Sequence, residues 1–345
     1  MDCHSQPRCL AAACRRFVAA GIVLLLLAVG CKQKDEPASP GKQVAPLAVT
    51  ICHGSVTDIL PRIALEQGYF ADEGIAVALK DLDGKLAFDG MLQGECNFAV
   101  SGAPPIVLVD PKTTPFIILA TVMSDDDSAR IIARRDRGIA TPQDLKGKRV
   151  GVKRGVLGHL FLDLFLMKHG LGQNEVDQVF MDSDKLQTAL ASGEIDAFSM
   201  TNKMVNIAAR TLGDQGVVFA EPGLNPFRAI LTTRPDIALN IQATPKVLKA
   251  LVRAENYAKS EPAAAKILVA KGATLSAQET EEIWTRSTIE VALANLIFAH
   301  LEDQYRWQRE RGGGQVPAIM PNYLDLVSPE YLRAIKPDAV SVIKH

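Results

Sequence analysis

Cysteine is scarce where a folded body would use it. Of the six in this 345-residue chain, Cys3, Cys9 and Cys14 fall near the N-terminus, Cys31 follows an apolar run, and only Cys52 and Cys96 remain beyond it. No CxxC pair and no Cys/His spacing of a zinc site occurs, so a structural metal is not expected. Charge of one sign is lacking too. The chain carries 38 Lys and Arg against 39 Asp and Glu, and without residues 1–31 the balance is 35 against 38, dispersed along the sequence. No nucleic-acid footprint is implied. The densest basic spot, Arg134-Arg135-Asp136-Arg137, reads as a solvated strand end. No GxSxG, HExxH or Walker sequence is present, and Gly312-Gly313-Gly314 is a flexible break and not a phosphate loop, because no Lys-Ser/Thr follows it. An enzyme is not expected, nor is any cofactor.

A long apolar run is also absent. Phe17 to Val29 is thirteen residues, short of the roughly 18 that suggest a membrane-spanning helix. With Arg8, Arg15 and Arg16 ahead of it and Gly30-Cys31 at its end, residues 1–31 read as a secretory signal peptide. Leu27-Ala28-Val29-Gly30-Cys31 resembles a bacterial lipobox, which implies lipid on Cys31 and a membrane anchor; ordinary cleavage nearby is the alternative. Residues 32–45, rich in Lys, Asp, Glu, Ser, Gly, Gln and Pro, predict a flexible tether.

Beyond the tether, strands and helices alternate. Strands are expected at 47–52, 76–79, 97–101, 116–122, 149–152, 179–181, 197–199, 217–220 and 229–233. Helices are expected at 57–67, 85–93, from Ala103, from Leu157 to His169, and at 185–192. Ser124-Asp125-Asp126-Asp127 reads as an acidic turn. Such alternation argues for mainly parallel sheets with helices on both faces. About three hundred residues exceed the size at which one core stops growing, roughly 250–300 residues. Two lobes follow: 46–127 with 225–345, and 128–224. The C-terminal third is helical, at 245–260, 261–271 and 276–311 with at least one interruption. Trp284 and Trp307 lie there as packing residues.

Two segments carry a resemblance. Asp144-Leu145-Lys146-Gly147-Lys148-Arg149-Val150-Gly151-Val152 and Gly68-Tyr69-Phe70-Ala71-Asp72-Glu73-Gly74-Ile75 are similar to signatures of the ABC-importer solute-binding proteins that include nitrate, sulfonate, taurine and thiamine-precursor binders. The resemblance implies a two-lobe α/β fold of the type II periplasmic binding kind, with a helical C-terminal portion packed on lobe one. It implies export to the periplasm or cell surface and capture of a small-molecule solute by hinge closure. The implied partner is a permease with a cytosolic ATPase. A sensor reporting to a membrane signalling partner is the alternative, followed by an enzyme like the pyrimidine-precursor synthase of the same fold family.

Ligands of open α/β sheets lie at strand carboxyl ends, near helix N-termini. The candidates are therefore His53, Gly54, Ser55 and Thr57; Asp83; Ser101, Gly102 and Ala103; Asp125 at the hinge; Gly155, Val156, Leu157 and His159; and Met200 and Asn202. Thr57 and Asp58 are equally well read as caps of their helix. His53 and His159, from opposite lobes, are placed to meet across a closed cleft, or else to face solvent. Where the family often has Gly-Ser and Trp-x-Pro, this chain has Gly155-Val156 and Met200-Thr201-Asn202, which predicts a more apolar pocket for a small organic anion or a heterocycle. Cys52 and Cys96 fall on neighbouring strands of the family fold. A disulfide is possible there, but two buried thiols are the favoured reading, since adjacent strands often offer poor bridging geometry.

Overall fold

The computed structural model describes residues 45–54, 57–82, 84–239, 242–273 and 275–343. The expected signal peptide, Cys31, the linker up to Val44, Ser55 and Asp83 lie outside the described residues. In the first sheet, β1 (Leu47–His53) sits between β2 (Ile75–Asp81) and β3 (Phe98–Ser101), parallel to both. All four residues of β3 are buried, and its first three, Phe98 to Val100, are apolar. The helices α1 (Ile59–Glu66), α2 (Tyr69–Asp72), α3 (Gly84–Leu92) and α4 (Ala103–Val107) connect these strands. Ile59, Leu60, Ile63 and Ala64 form the buried stripe of α1, and Gly68, at φ 72°, turns the chain out of it.

β4 (Ile117–Asp125) ends the first passage through this sheet, and β5 (Ala129–Arg134) opens a second one. There follow β6 (Arg149–Val152), α5 (Leu157–Lys168), β7 (Asp177–Phe180), α6 (Ser183–Ser192), β8 (Ala197–Thr201), α7 (Asn202–Leu212) and β9 (Gly216–Phe219). The chain then returns to the first sheet as β10 (Phe227–Thr233) and continues through α8 (Pro235–Ala238), α9 (Ala243–Ser260), α10 (Pro262–Ala273), α11 (Ala277–Arg286), β11 (Ser287–Thr288), α12 (Leu296–Trp307) and α13 (Pro329–Arg333). The sheet orders are β11-β4-β10-β3-β1-β2 and β7-β6-β8-β5-β9. Each sheet with its helices is called a lobe below. Lobe one has a single large core, whereas lobe two buries one apolar cluster on each face of its sheet.

Several expectations change. Both sheets are mixed: the strands that cross between lobes are antiparallel, β10 to β3 and β4 and β5 to β8 and β9, and so is β11 to β4. Ser124 and Asp125 belong to β4 and not to a turn, since Arg228 and Phe227 of β10 pair with them in register. Helix α7 was not foreseen; its polar first turn hides the buried stripe Asn202, Val205, Ala208. The interruption expected within 276–311 is an extended stretch between α11 and α12. Thr288, Ile289 and Val291 are β-branched, and the chain from Ser287 takes an extended path along β4, with Thr121 bridged to Ala292. Cys52 and Cys96 are joined as a disulfide, with Cα atoms 5.9 Å apart. Cys52 pairs in register with Ala99, so Cys96 reaches it from the connection ahead of β3.

A third link between the lobes accompanies the two crossings. Trp307 Nε1–H donates to Asp163 Oδ2 at 2.9 Å, and Gln308 Nε2–H donates to the Gly155 carbonyl at 2.6 Å. The helical C-terminus thus reaches lobe two as well as lobe one. Gln308–Gly312 is a π-helical turn, closed by Gly313 at φ 70°. It is packed and not a loose break: Gly312 is buried, and a Cβ on Gly155 would come within 2.8 Å of its carbonyl oxygen.

Candidate ligand-binding site

The strand ends of lobe one are tightly built. His53 is buried, with Nδ1 donating to the Gly54 carbonyl at 3.1 Å and Nε2 without a hydrogen-bond partner among the described residues, 3.9 Å from Asp58 Oδ2. Thr57 Oγ1 donates to the Gly54 carbonyl at 2.9 Å, and Asp58 accepts from Arg62 Nε at 2.6 Å. Neither caps α1 through its side chain. A Cβ on Gly54 would lie 3.2 Å from the Gly84 backbone, so glycine there eases a tight approach of the two segments. Ser101 and Ala103 are buried, and a Cβ on Gly102 would meet the edge of the Phe227 ring at 2.7 Å.

In lobe two, Gly155 takes a left-handed φ of 77°, which turns its N–H onto His159 Nδ1 at 3.2 Å. His159 is fully buried, with ring centroids 5.3 Å from Phe180 and 4.9 Å from Trp307. Burial holds its pKa below the ordinary histidine value. Gly158 lies against β8, where Ser199 Oγ donates to its carbonyl at 2.8 Å. Met200 accepts a weak bond from Ser183 Oγ through sulfur. Asn202 is buried, its Nδ2 donating to the Asp127 carbonyl while Oδ1 has no partner.

Between the lobes lies a cavity of about 390 Å³. Of the expected residues, Asp125, Leu157 and Asn202 line it. His53, Gly54, Thr57, Ser101, Gly102, Ala103, Gly155, Val156, His159 and Met200 do not. The two histidines do not share a cavity: His159 lines a second one on the flank of lobe two, whereas His53 lines neither. The apolar wall is Met123, Leu157, Phe227, Leu275 and Ile283, and polar groups come from Ser128, Thr201, Lys203, Asn206, Glu279 and Glu282. Most of these were not anticipated. Only the Ser276–Glu279 capping box, which starts α11, has a local sequence signature; the others share no spacing, because they come from β4, the residue ahead of β5, β8, α7, β10, the residue Leu275 ahead of α11, and α11 itself.

Asp125 is the buried charge of this cavity. Arg286 Nε–H donates to its Oδ2 at 2.8 Å, and the Asp127 N–H donates to Oδ1 at 3.0 Å. Even so, burial pushes the Asp125 pKa above the usual carboxylate value, outweighing the arginine. Glu282 accepts from Asn206 Nδ2 at 3.1 Å, which links α11 to lobe two. Glu279 is held below the ordinary glutamate range by the N–H and hydroxyl of Ser276. Two polar atoms of lining residues, Asn202 Oδ1 and Ser128 Oγ, are buried without partners among the described residues. Among the described residues, no three His, Cys, Asp or Glu side chains gather as a metal ion would require.

The sequence profile of the NMT1/THI5-like family matches residues 60–265. A Brucella abortus (strain 2308) protein described as a binding protein is 24% identical over 210 residues, 58% of this chain and 63% of the relative. The 4-amino-5-hydroxymethyl-2-methylpyrimidine phosphate synthase of Aspergillus parasiticus is 26% identical over 219 residues, 59% of this chain and 63% of that one. The chain therefore spans somewhat under two thirds of the length of these relatives. The periplasmic aliphatic sulphonate binding protein SsuA of Escherichia coli superposes with a TM-score of 0.68 at 17% identity, covering 84% of this chain and 98% of SsuA. The desulfurization enzyme DSZB gives 0.65 at 17% identity, covering 85% and 99%. The profile runs over more than half of the chain and the architecture agrees with it; this protein belongs to the NMT1/THI5-like family and has the periplasmic binding protein fold.

Proposed function

We propose that this protein is the extracytoplasmic solute-binding component of an ABC importer and holds its solute in the interlobe cavity. The observation that carries the reading is the cavity itself, walled by both lobes and containing two buried polar atoms, Asn202 Oδ1 and Ser128 Oγ, that lack partners. Buried polar groups are nearly always satisfied, so unpaired ones in a cavity mark where a ligand would bond. The apolar wall fits the body of a small organic anion or a heterocycle. Asn202 Oδ1 would accept from an N–H or O–H of that ligand, and Lys203 offers a cation at the rim. Relatives named for sulfonate binding support an anionic solute. The apolar run before Cys31 and the polar segment after it fit export and a lipid tether.

Thermal unfolding of the purified, ligand-stripped chain against sulfonates, nitrate, carboxylates and pyrimidines tests the reading. A true solute raises the midpoint by mass action, by about 2.7 kcal/mol of stabilisation at a hundredfold excess over Kd. Asn202→Leu should abolish that rise while leaving the chain folded. A flat response to the whole panel, or a rise that survives Asn202→Leu, would remove the interlobe cavity from consideration. Cells lacking the protein should then fail to take up the solute so identified; intact uptake would point to a membrane signalling partner.

A further inference from the structure

The second cavity, of about 580 Å³, opens on lobe two and shares no lining residue with the first. Its walls come from Gly147, the turn after β6, the start of α5, the segment 173–178 that leads into β7, the end of β7 and the C-terminal turn, with Arg154, His159, Phe180 and Arg311 among them. The guanidinium of Arg154 lies 3.6 Å above the centroid of the Phe180 ring and has no carboxylate or hydrogen-bond acceptor among the described residues. Five N–H donors are thus uncommitted. Arg311 reaches Asp163 only at 3.4 Å, through Nε and Nη2, because Asp163 already accepts from Trp307 Nε1 at 2.9 Å and Gln178 Nε2 at 3.1 Å.

His159 supplies the third donor. Its Nδ1 accepts the Gly155 N–H, which leaves the ring proton on Nε2. That N–H is fully buried and makes no well-formed hydrogen bond among the described residues, with Asp163 Oδ2 3.9 Å away and the Gln178 side chain beside it. An unmade buried donor is costly, and here it stands beside two guanidinium groups. Of the nearby carboxylates, Glu175 is taken up by Lys146 at 2.6 Å and by the Gly172 N–H, while Glu310 and Asp177 line the cavity without reaching either arginine.

We propose that this cavity binds a small oxyanion of the phosphate or carboxylate type. Arg154 swings off Phe180 to meet it, Arg311 holds it from the C-terminal turn, and His159 Nε2–H, uncovered by that swing, donates from the floor. Planar guanidinium pairs suit such oxyanions, because each offers parallel N–H bonds to two oxygens. Arg154 belongs to lobe two and Arg311 to the turn after α12, so the anion would bridge the two. The site stands on its own lining and does not depend on the interlobe cavity.

Calorimetric titration of the full chain with inorganic phosphate, and separately with succinate, tests this in buffers matched in ionic strength with chloride. Saturable one-to-one binding of either is expected, and which anion binds tells phosphate from carboxylate. Binding should weaken about tenfold or more in Arg154→Ala and in Arg311→Ala, and stay unchanged in Arg306→Ala, whose partners Glu302 and Asp303 are on its own helix. Arg154 has no polar partner among the described residues, so its variant keeps the fold. The 15N resonance of His159 Nε2 should move on saturation of the parent chain and stay still in Arg154→Ala. A non-saturating response, or equal affinities in Arg154→Ala and Arg306→Ala, would overturn the proposal.

Discussion

Gly158 is the tightest point between α5 and the sheet of lobe two, and Gly158→Ala measures it. A Cβ there would stand 2.6 Å from the Ser199 carbonyl oxygen, 2.9 Å from Met200 Cα and 3.0 Å from the Ser199 carbonyl carbon. All three are backbone atoms of β8, which cannot rotate aside as a side chain can. The first turn of α5 must therefore lift, stretching the Ser199 Oγ–H bond to the Gly158 carbonyl. Overpacking of this kind costs about 1–3 kcal/mol. Alanine's advantage over glycine in a helix, at most about 1 kcal/mol, opposes it and is reduced here because Gly158 is only the second residue of α5. A net loss of about 1–2 kcal/mol follows. Gly151→Ala is the control, since its Cβ would meet Ile195 Cδ1 at 2.5 Å and Leu186 Cδ2 at 2.9 Å. Those are side-chain ends that can shift, so the loss there should be smaller. Urea midpoints of the two variants and the parent, compared at equal m-values, decide the matter. A Gly158→Ala midpoint at or above the parent's, or below it by less than the Gly151→Ala shift, would refute the packing argument. Because Leu157 lines the interlobe cavity, solute affinity should fall with the midpoint.

Arg286→Leu leaves Asp125 buried without its cation and should lower stability by about 3–5 kcal/mol; adding Asp125→Asn should recover part of this, which a double-mutant cycle by urea titration checks. His300 concerns pH. Burial and the nearby Arg228 push its pKa down to about 4, from 6.5 when unfolded. The unfolded chain thus binds the proton more readily, so the stability due to neutral His300 is complete above about pH 6.5 and is lost as pH falls toward 4. His300→Gln should flatten the urea midpoint over that window by the equivalent of about 1–3 kcal/mol; a slope identical to the parent's would exclude the assignment.

The alternation of elements through residue 201 was legible because each strand or helix carries its own periodicity and its own turn residues. Arg149–Val152 and the helix from Leu157 fall where local patterning puts them. Helix α7 was not legible, because Asn202 and Lys203 mask its first turn. The extended path from Ser287 to Ala292 was hidden within a span of helical pattern, although its β-branched residues hinted at it.

The sequence by itself determined the α/β character, the passage into a second sheet near residue 128, the return ahead of Phe227, and the candidate strand ends. Those rest on backbone preference and the spacing of apolar residues, which are local. Only the tertiary structure decided which side chains share a cavity. Asp125, Asn202 and Leu157 meet Arg286, Phe227 and Ile283 because antiparallel pairing at the crossings and the docking of α11 carry distant segments together. His53 and His159 face different surroundings because Gly155 turns one imidazole onto its own N–H, while Gly54 holds the other within lobe one.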